Sequence, residues 1–344
     1  MSGITTASTA AKLWLANGVF WFCLAVYCWG SWIFGPDFVT NTIGREDASD
    51  NYVLMVRSLE ALISLLGLVI VWKFMLKPKL RDGKFSFDGL FFMAAWMMYL
   101  QEPWLNYNGQ QFMYNTVFIN FGSWLAYVPG WNSPYPERIP VGGPLVMFAY
   151  IVYVGMAGYL ASRFMAWYKA KKPDITSLSL VGITFLVVVI ADTILESLLL
   201  RLNIMGYPSA VPELTLWAGE YYQLPIYQEL QWAATFTAMG CVRFFRDDQG
   251  RSLPERGLEK LKFSSRLHTF ARFLTIMGFL QVAFLITYNI PYFYWSTKGG
   301  AYPEALQSYR IGGLCGPETD FDCASLKTPV PKAGSPTNRI ISIE

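Results

Sequence analysis

The chain has 344 residues, 53% of them hydrophobic and only 15% charged, with 13 Trp and 20 Tyr. Soluble domains carry about 25% charged residues, so this deficit excludes a soluble protein with a large core and points to an integral membrane protein. A formal net charge of only +3, with no basic patch interleaved with aromatics, excludes nucleic acid as a partner and leaves the lipid bilayer as the expected one.

Seven apolar runs have the roughly 20-residue length a bilayer requires. They cover residues 13–34, 53–76, 87–107, 144–167, 176–200, 224–245 and 269–290. The first is too long for the apolar region of a signal peptide, and no small-residue cleavage site follows it, so it reads as a retained helix. The expected fold is therefore all-α, a polytopic membrane bundle of about seven transmembrane helices.

Basic residues set its orientation. Lys77, Lys79, Arg81 and Lys84 follow the second run. Lys169, Lys171 and Lys172 follow the fourth. Arg246, Arg251, Arg256, Lys260, Lys262 and Arg266 follow the sixth. The alternate loops hold only Arg45, Arg138 and Arg201. This asymmetry places the N-terminus in the cytoplasm and the C-terminus outside. The expected organisation is a membrane domain over 1–290 with a long outer segment at 108–143, then an irregular extracytoplasmic tail over 291–344. In that tail Cys315 and Cys323 lie in a Gly/Pro-rich stretch and form a disulfide candidate in an oxidising compartment. The connector at 246–266 mixes charges of both signs and reads as solvated and salt-bridged.

Five carboxylates fall inside or at the edge of these runs: Glu60, Glu102, Asp192, Glu196 and Glu229. A charge at the bilayer centre costs about 2.5 kcal/mol or more, so such groups face a protein interior and mark function by default. By depth all five belong to the outer half. Arg57 and Glu60, three residues apart on one helical face, read as a structural ion pair. Asp192 and Glu196 share a face and have Arg57 or Arg201 as possible partners, so structural and functional roles stand level. Glu102 and Glu229 lack a local cation, which favours function. Asn106, Tyr107, Tyr114, Asn115, Tyr221, Tyr222, Tyr227 and Asn289 cluster at the same level as candidate substrate-binding groups, although the tyrosines also suit an interfacial aromatic belt and the asparagines helix packing.

The chemistry is narrowed by what is missing. His268 is the one histidine and falls at the inner edge, which excludes histidine-rich metal sites and a serine–histidine nucleophile. The last run has no lysine for retinal, and no phosphate-binding Gly loop is present. No metal and no cofactor is expected. Acid–base chemistry fits better, because apolar surroundings disfavour the anion of a carboxyl and leave it available as a general acid. A neighbouring carboxylate then takes the complementary role.

The run Gln101-Glu102-Pro103-Trp104-Leu105-Asn106-Tyr107, the segments Tyr114-Asn115, Gly122-Ser123-Trp124 and Pro129-Gly130-Trp131, then Gly219-Glu220-Tyr221-Tyr222-Gln223-Leu224-Pro225-Ile226-Tyr227 with Glu229, Arg243-Phe244-Phe245-Arg246-Asp247-Asp248 and Tyr288-Asn289-Ile290-Pro291 together resemble the AveC-like spirocyclase family of bacterial membrane proteins. Asp often replaces Glu at the position of Glu102 there, which keeps the carboxyl group. The resemblance implies a multi-pass protein of the bacterial cytoplasmic membrane, acting in secondary metabolism on an apolar polyketide- or lipid-like small molecule. The implied reaction closes a dihydroxy ketone to a spiroketal, with or without dehydration. The sites rest on depth and charge: Glu102 and Glu229 as acid and base, Asp192 and Glu196 as partners. Two alternatives stand beside this: a transporter or binding protein using the same carboxylates as a proton relay, and a structural subunit of a larger complex. The substrate and the oligomeric state are not encoded in any feature of the chain.

Overall fold

The computed structural model describes residues 2–325 apart from Lys262 and Glu318, with side chains from residue 9 onward. The part of the expected tail at 326–344 lies outside the described residues, as does Lys262 of the basic cluster after the sixth run.

The protein is mostly helical, with a single pair of two-residue strands, β1 (Thr215–Leu216) and β2 (Leu224–Pro225), among the described residues. The helices are α1 (Ser2–Ile33), α2 (Asp50–Ile70), α3 (Lys77–Asp82), α4 (Phe87–Met97), α5 (Pro144–Ala149), α6 (Met156–Lys171), α7 (Ser177–Arg201), α8 (Ile226–Phe244), α9 (Ser265–Phe284), α10 (Ile290–Ser296) and α11 (Ser308–Ile311). Starts are set by side-chain caps. The hydroxyls of Ser86 and Thr176 accept from Gly89 N at 3.0 Å and Ser179 N at 3.1 Å, satisfying amides that have no intrahelical partner.

Three π turns fuse shorter helices into longer rods: Val71–Leu76 joins α2 to α3, Tyr150–Gly155 joins α5 to α6, and Leu285–Asn289 joins α9 to α10. Such bulges frequently mark functional sites. The last also lets the helix run past Pro291, which sits in the first turn of α10 where its missing N–H costs least. That rod therefore continues to Ser296 rather than ending at 290.

Among the described residues, five helices are long and apolar enough to cross a membrane: Thr9–Ile33, Asp50–Asp82, Pro144–Lys171, Ser177–Arg201 and Ser265–Ser296. The other two expected spans differ for physical reasons. Over 87–107 the α-helix stops at Met97 and continues as a 3₁₀ turn over Met98–Asn106, because Pro103 cannot supply the α-helical N–H. Helix α8 carries Gln228, Glu229, Gln231, Thr235, Thr237 and Arg243, too many polar groups to face lipid. Both elements lie at the centre, with most of their residues buried. The outward faces of α2 and α7 expose Leu62, Leu65, Leu186, Ile190 and Ile194 instead.

Close helix crossings depend on glycine. A Cβ on Gly18 of α1 would stand 1.9 Å from Leu274 O of α9. One on Gly158 of α6 would stand 2.7 Å from Met239 Cβ of α8. Small residues at such points let backbones approach, as membrane helices require.

The end of the bundle that carries the basic loops is held by charge. Arg243 of α8 donates to both oxygens of Asp88, at 2.9 and 3.0 Å, and to Ser162 Oγ at 2.8 Å. Among its described residues the connector after α8 has no α-helix, only two short 3₁₀ turns, and it is laced by Arg251–Asp247, Arg251–Glu259 and Arg272–Glu255 pairs.

The opposite end is capped by irregular chain. The segment after Asn106 folds back into the core, burying Phe112, Tyr114, Val117, Phe118 and Trp124. Asn41 and Asn120 tie it to the loop before α2. Arg45 donates to Thr116 O at 2.7 Å and Phe118 O at 3.1 Å. Residues 297–325 close over it: Arg138 donates to Gly313 O at 2.8 Å, and Cys315 and Cys323 are joined in a disulfide. Arg310 is buried and donates to Asn203 Oδ1 at 2.6 Å, Met205 O at 2.6 Å and Tyr221 O at 2.9 Å. Burial pulls its guanidinium down to about 10, which keeps it charged at neutral pH.

Candidate active site

Glu102 sits on the 3₁₀ turn after α4, and its neighbours are locked. Trp124 Nε1 donates to Leu100 O at 3.0 Å, and Gln101 Nε2 donates to Gln281 O at 3.0 Å. The carboxyl is buried. Tyr114 donates to Oε1 and Tyr150 to Oε2. One donor comes from the outer segment and the other from the π turn before α6, so the 3₁₀ conformation, the folded-back segment and the bulge converge on one side chain.

Asp192 and Glu196 lie one turn apart on α7, both buried. Asp192 Oδ1 accepts from Tyr153, another π-turn residue, while its Oδ2 has no partner. Glu196 Oε2 accepts from Tyr207 Oη at 2.9 Å. Tyr207 is fixed in turn by Gln223, whose Nε2 donates to Tyr207 O at 2.6 Å. Glu229 of α8 faces Glu196 and Thr193. Neither of its oxygens meets an N–H or O–H donor, since the Thr193 hydroxyl is spent on Val189 O at 2.8 Å. Facing carboxyls satisfy each other only when one holds a proton and donates it.

Glu102 and Glu196 both line a cavity of about 280 Å³. Its remaining walls are aliphatic and aromatic, among them Tyr114, Tyr150, Tyr153, Tyr207, Trp232 and Tyr288. Trp232 packs on Phe236, Phe284 and Tyr288 with ring centroids 4.9, 5.2 and 4.5 Å apart. The Tyr288 hydroxyl receives Gln228 Nε2 at 2.9 Å. Among the described residues, none of Glu102, Asp192, Glu196 and Glu229 takes part in an ion pair.

Arg57 and Arg201, the cations the sequence offered as partners, are engaged elsewhere. Arg57 pairs with Glu60, whose other oxygen accepts Ile119 N at 2.7 Å. The Arg201 guanidinium lies over Trp217 and Tyr222, at 4.3 and 4.4 Å from the ring centroids.

Of the eight substrate-binding candidates read from the sequence, Tyr114 alone lines this cavity. Asn106 Oδ1 accepts from Gln111 N at 2.9 Å and Phe112 N at 2.8 Å, which turns the chain back. Asn115 bonds Tyr52, Asn203 O and Val117 N. Tyr107 packs between Trp131 and Phe293. The Tyr221 hydroxyl donates to Arg201 O, at 3.4 Å. Tyr222 lies under Arg201, Tyr227 stacks on Trp295 at 5.1 Å, and Asn289 donates to Gln101 Oε1 at 3.1 Å. Glu229 likewise stands beside Glu196, outside the cavity wall. The tyrosines that sequence reasoning passed over, Tyr150 and Tyr153, had a signal: they stand in the middle of an apolar run, away from the interfaces where tyrosine is ordinary.

Fold and site together define a helical membrane protein with an internal, aromatic-walled cavity acidified by carboxyls from separate elements. The family model described as "Spirocyclase AveC-like" matches residues 83–310. The match spans Glu102, all the cavity tyrosines and Arg310, and the chain belongs to the AveC-like spirocyclase family, which implies a cyclase-type enzyme. No curated protein and no solved structure matches the chain.

Proposed function

We propose that the protein is a cofactor-free acid–base cyclase of the cytoplasmic membrane, closing an apolar polyketide- or lipid-like dihydroxy ketone to a spiroketal. The observation that carries this reading is that Glu102 and Glu196 share one apolar cavity with no cation beside them. The first substrate hydroxyl adds to the ketone and gives a hemiketal. Glu196 donates a proton to the hemiketal hydroxyl and is resupplied by Glu229 behind it. Water leaves, and the electron pair of the ring oxygen forms an oxocarbenium ion. The carboxylate of Glu102, held in acceptor form by two tyrosine hydroxyls, and the faces of Trp232 and Tyr288 stabilise that cation. The second hydroxyl attacks the cationic carbon and passes its proton to Glu102; as product and water leave, Glu102 gives up this proton and the Glu196–Glu229 pair regains one, which restores the starting state. The net change is loss of one water, and the closed walls keep bulk water from competing for the cation.

In the membrane, α4 with its 3₁₀ extension and α8 form the inner two of seven crossings, sheltered by the five apolar helices. The N-terminus is cytoplasmic, and the tail packs on the outer segment. Basic loops on one side and a disulfide on the other support this orientation.

The test is incubation of detergent-purified protein with a synthetic apolar dihydroxy ketone. A product lighter by one water and lacking the ketone carbonyl is expected, with none from Glu102→Gln. If folded wild-type protein leaves the ketone unchanged while proteoliposomes accumulate it under a proton gradient, the site is a proton relay for transport.

A further inference from the structure

A second cavity, of about 350 Å³, lies in the groove between α6 and α7, and its floor is shared with the carboxyl chamber: Val152, Tyr153 and Leu195 line both. The hydrogen bond from Tyr153 to Asp192 crosses this shared floor. Asp192 lines the groove, and its second oxygen, Oδ2, is buried without a partner. Apart from Thr184 the remaining walls are apolar, with Phe164 and Phe236 among them and small residues at Ala157 and Ala191. Beside it α7 exposes Leu186, Ile190 and Ile194, so the groove faces the hydrocarbon of the bilayer.

The sizes matter. Ligand pockets span roughly 300–1,000 Å³, and a chamber of about 280 Å³ holds the reacting segment of a chain-like molecule and little more. We infer that the α6–α7 groove is a lipid-facing subsite, which takes the apolar chain of the substrate directly from the bilayer and delivers its hydroxyl-bearing end past the Tyr153–Asp192 pair. This deepens the cyclase reading and rests on it for the identity of the chain. The unpartnered Asp192 oxygen is the acceptor a substrate hydroxyl meets on the way in. Tyr153, bonded to the other oxygen, swings aside to open the floor. Asp192 is here a positioning residue, not the proton donor.

The probe is a dihydroxy ketone whose alkyl chain carries a diazirine. Photolysed with detergent-purified wild-type protein, it should leave adducts on peptides containing 152–164 and 184–195. Ala191→Trp, at an exposed wall position, fills the groove. It should lose those adducts and raise KM at least fivefold with kcat within a factor of two. Val187→Trp repeats the test if Ala191→Trp does not fold, and Ile190→Trp, on the same helix but off the groove, should match wild type. Labelling elsewhere only, or unchanged KM in a folded groove-filled variant, overturns the subsite. Labelling needs no turnover, so a failure of the cyclase reading appears separately, as adducts in the groove with no product.

Discussion

Glu60 and Glu102 are both buried glutamates, yet their surroundings are opposites. Glu60 has a guanidinium on one oxygen and a backbone amide on the other; its charge is spent on tying α2 to the outer segment. Glu102 is met by two tyrosine hydroxyls and faces a cavity shared with Glu196. Burial alone therefore does not distinguish the two; their partners do. A cation and an amide neutralise Glu60, whereas Glu102 meets hydroxyl donors and no cation, which is the ground on which we propose it for the chemistry.

Exchanging the two outcomes is the strongest way to break this contrast. Glu102→Gln should lower kcat by about 10²–10⁴-fold, the range of a general acid or base, with an unchanged thermal unfolding profile. Glu229→Gln should fall at the lower end of that range, because it acts through Glu196. On the other side, Arg57→Ala strands the Glu60 carboxylate with one backbone donor. That should cost about 3 kcal/mol, the low end for a broken buried pair, since Arg57 is itself 35% exposed. It should appear as a lowered Tm, with kcat per folded molecule retained. A folded Arg57→Ala that loses turnover, or a silent Glu102→Gln, would reverse the assignment.

The cap to which Glu60 belongs allows a smaller test of the same division. Cys315 and Cys323 are eight residues apart, and loop-closure entropy for so short a ring is worth about 2.5 kcal/mol. Replacing both by Ser should lower Tm and loosen 297–325 in hydrogen exchange without changing kcat. Loss of turnover in the folded double variant would instead make the tail part of the chemistry.

The contrast was half legible in the chain. Arg57 and Glu60 announce each other by their spacing on one helix. The depth of Glu102 and Glu196 follows from hydropathy and loop charge. What those patterns do not carry is rotation and loop folding. Asn106, Asn115, Tyr221 and Tyr227 lie at the right level, but depth says nothing about which way a side chain turns, and each is consumed by the local backbone or by stacking. Tyr150, Tyr153 and Tyr288 reach the site because π turns alter the helical register locally, a shift no regular periodicity announces. Tyr207 depends on a loop pinned by Gln223. Likewise α8 reads as a span by length, while its polar face suits it only to the centre of the bundle.

The smallest effects give the finest resolution, because they compare a tyrosine the sequence does not single out with one it does. Tyr150 donates to Glu102 from inside the cavity, whereas Tyr221 is half-buried away from it with a long contact to Arg201 O. Removing a hydroxyl that bonds a charged group costs about 1.5 kcal/mol or more, close to tenfold in rate if the loss is confined to the transition state. Tyr150→Phe keeps the ring that packs against Tyr99, so its penalty should appear in kcat and not in Tm. Tyr221→Phe should stay within twofold on both measures, as surface substitutions do. Tyr150→Phe combined with Glu102→Gln should be no slower than Glu102→Gln alone, because the hydroxyl acts through that carboxyl. An additive double variant would mean that Tyr150 touches substrate on its own account.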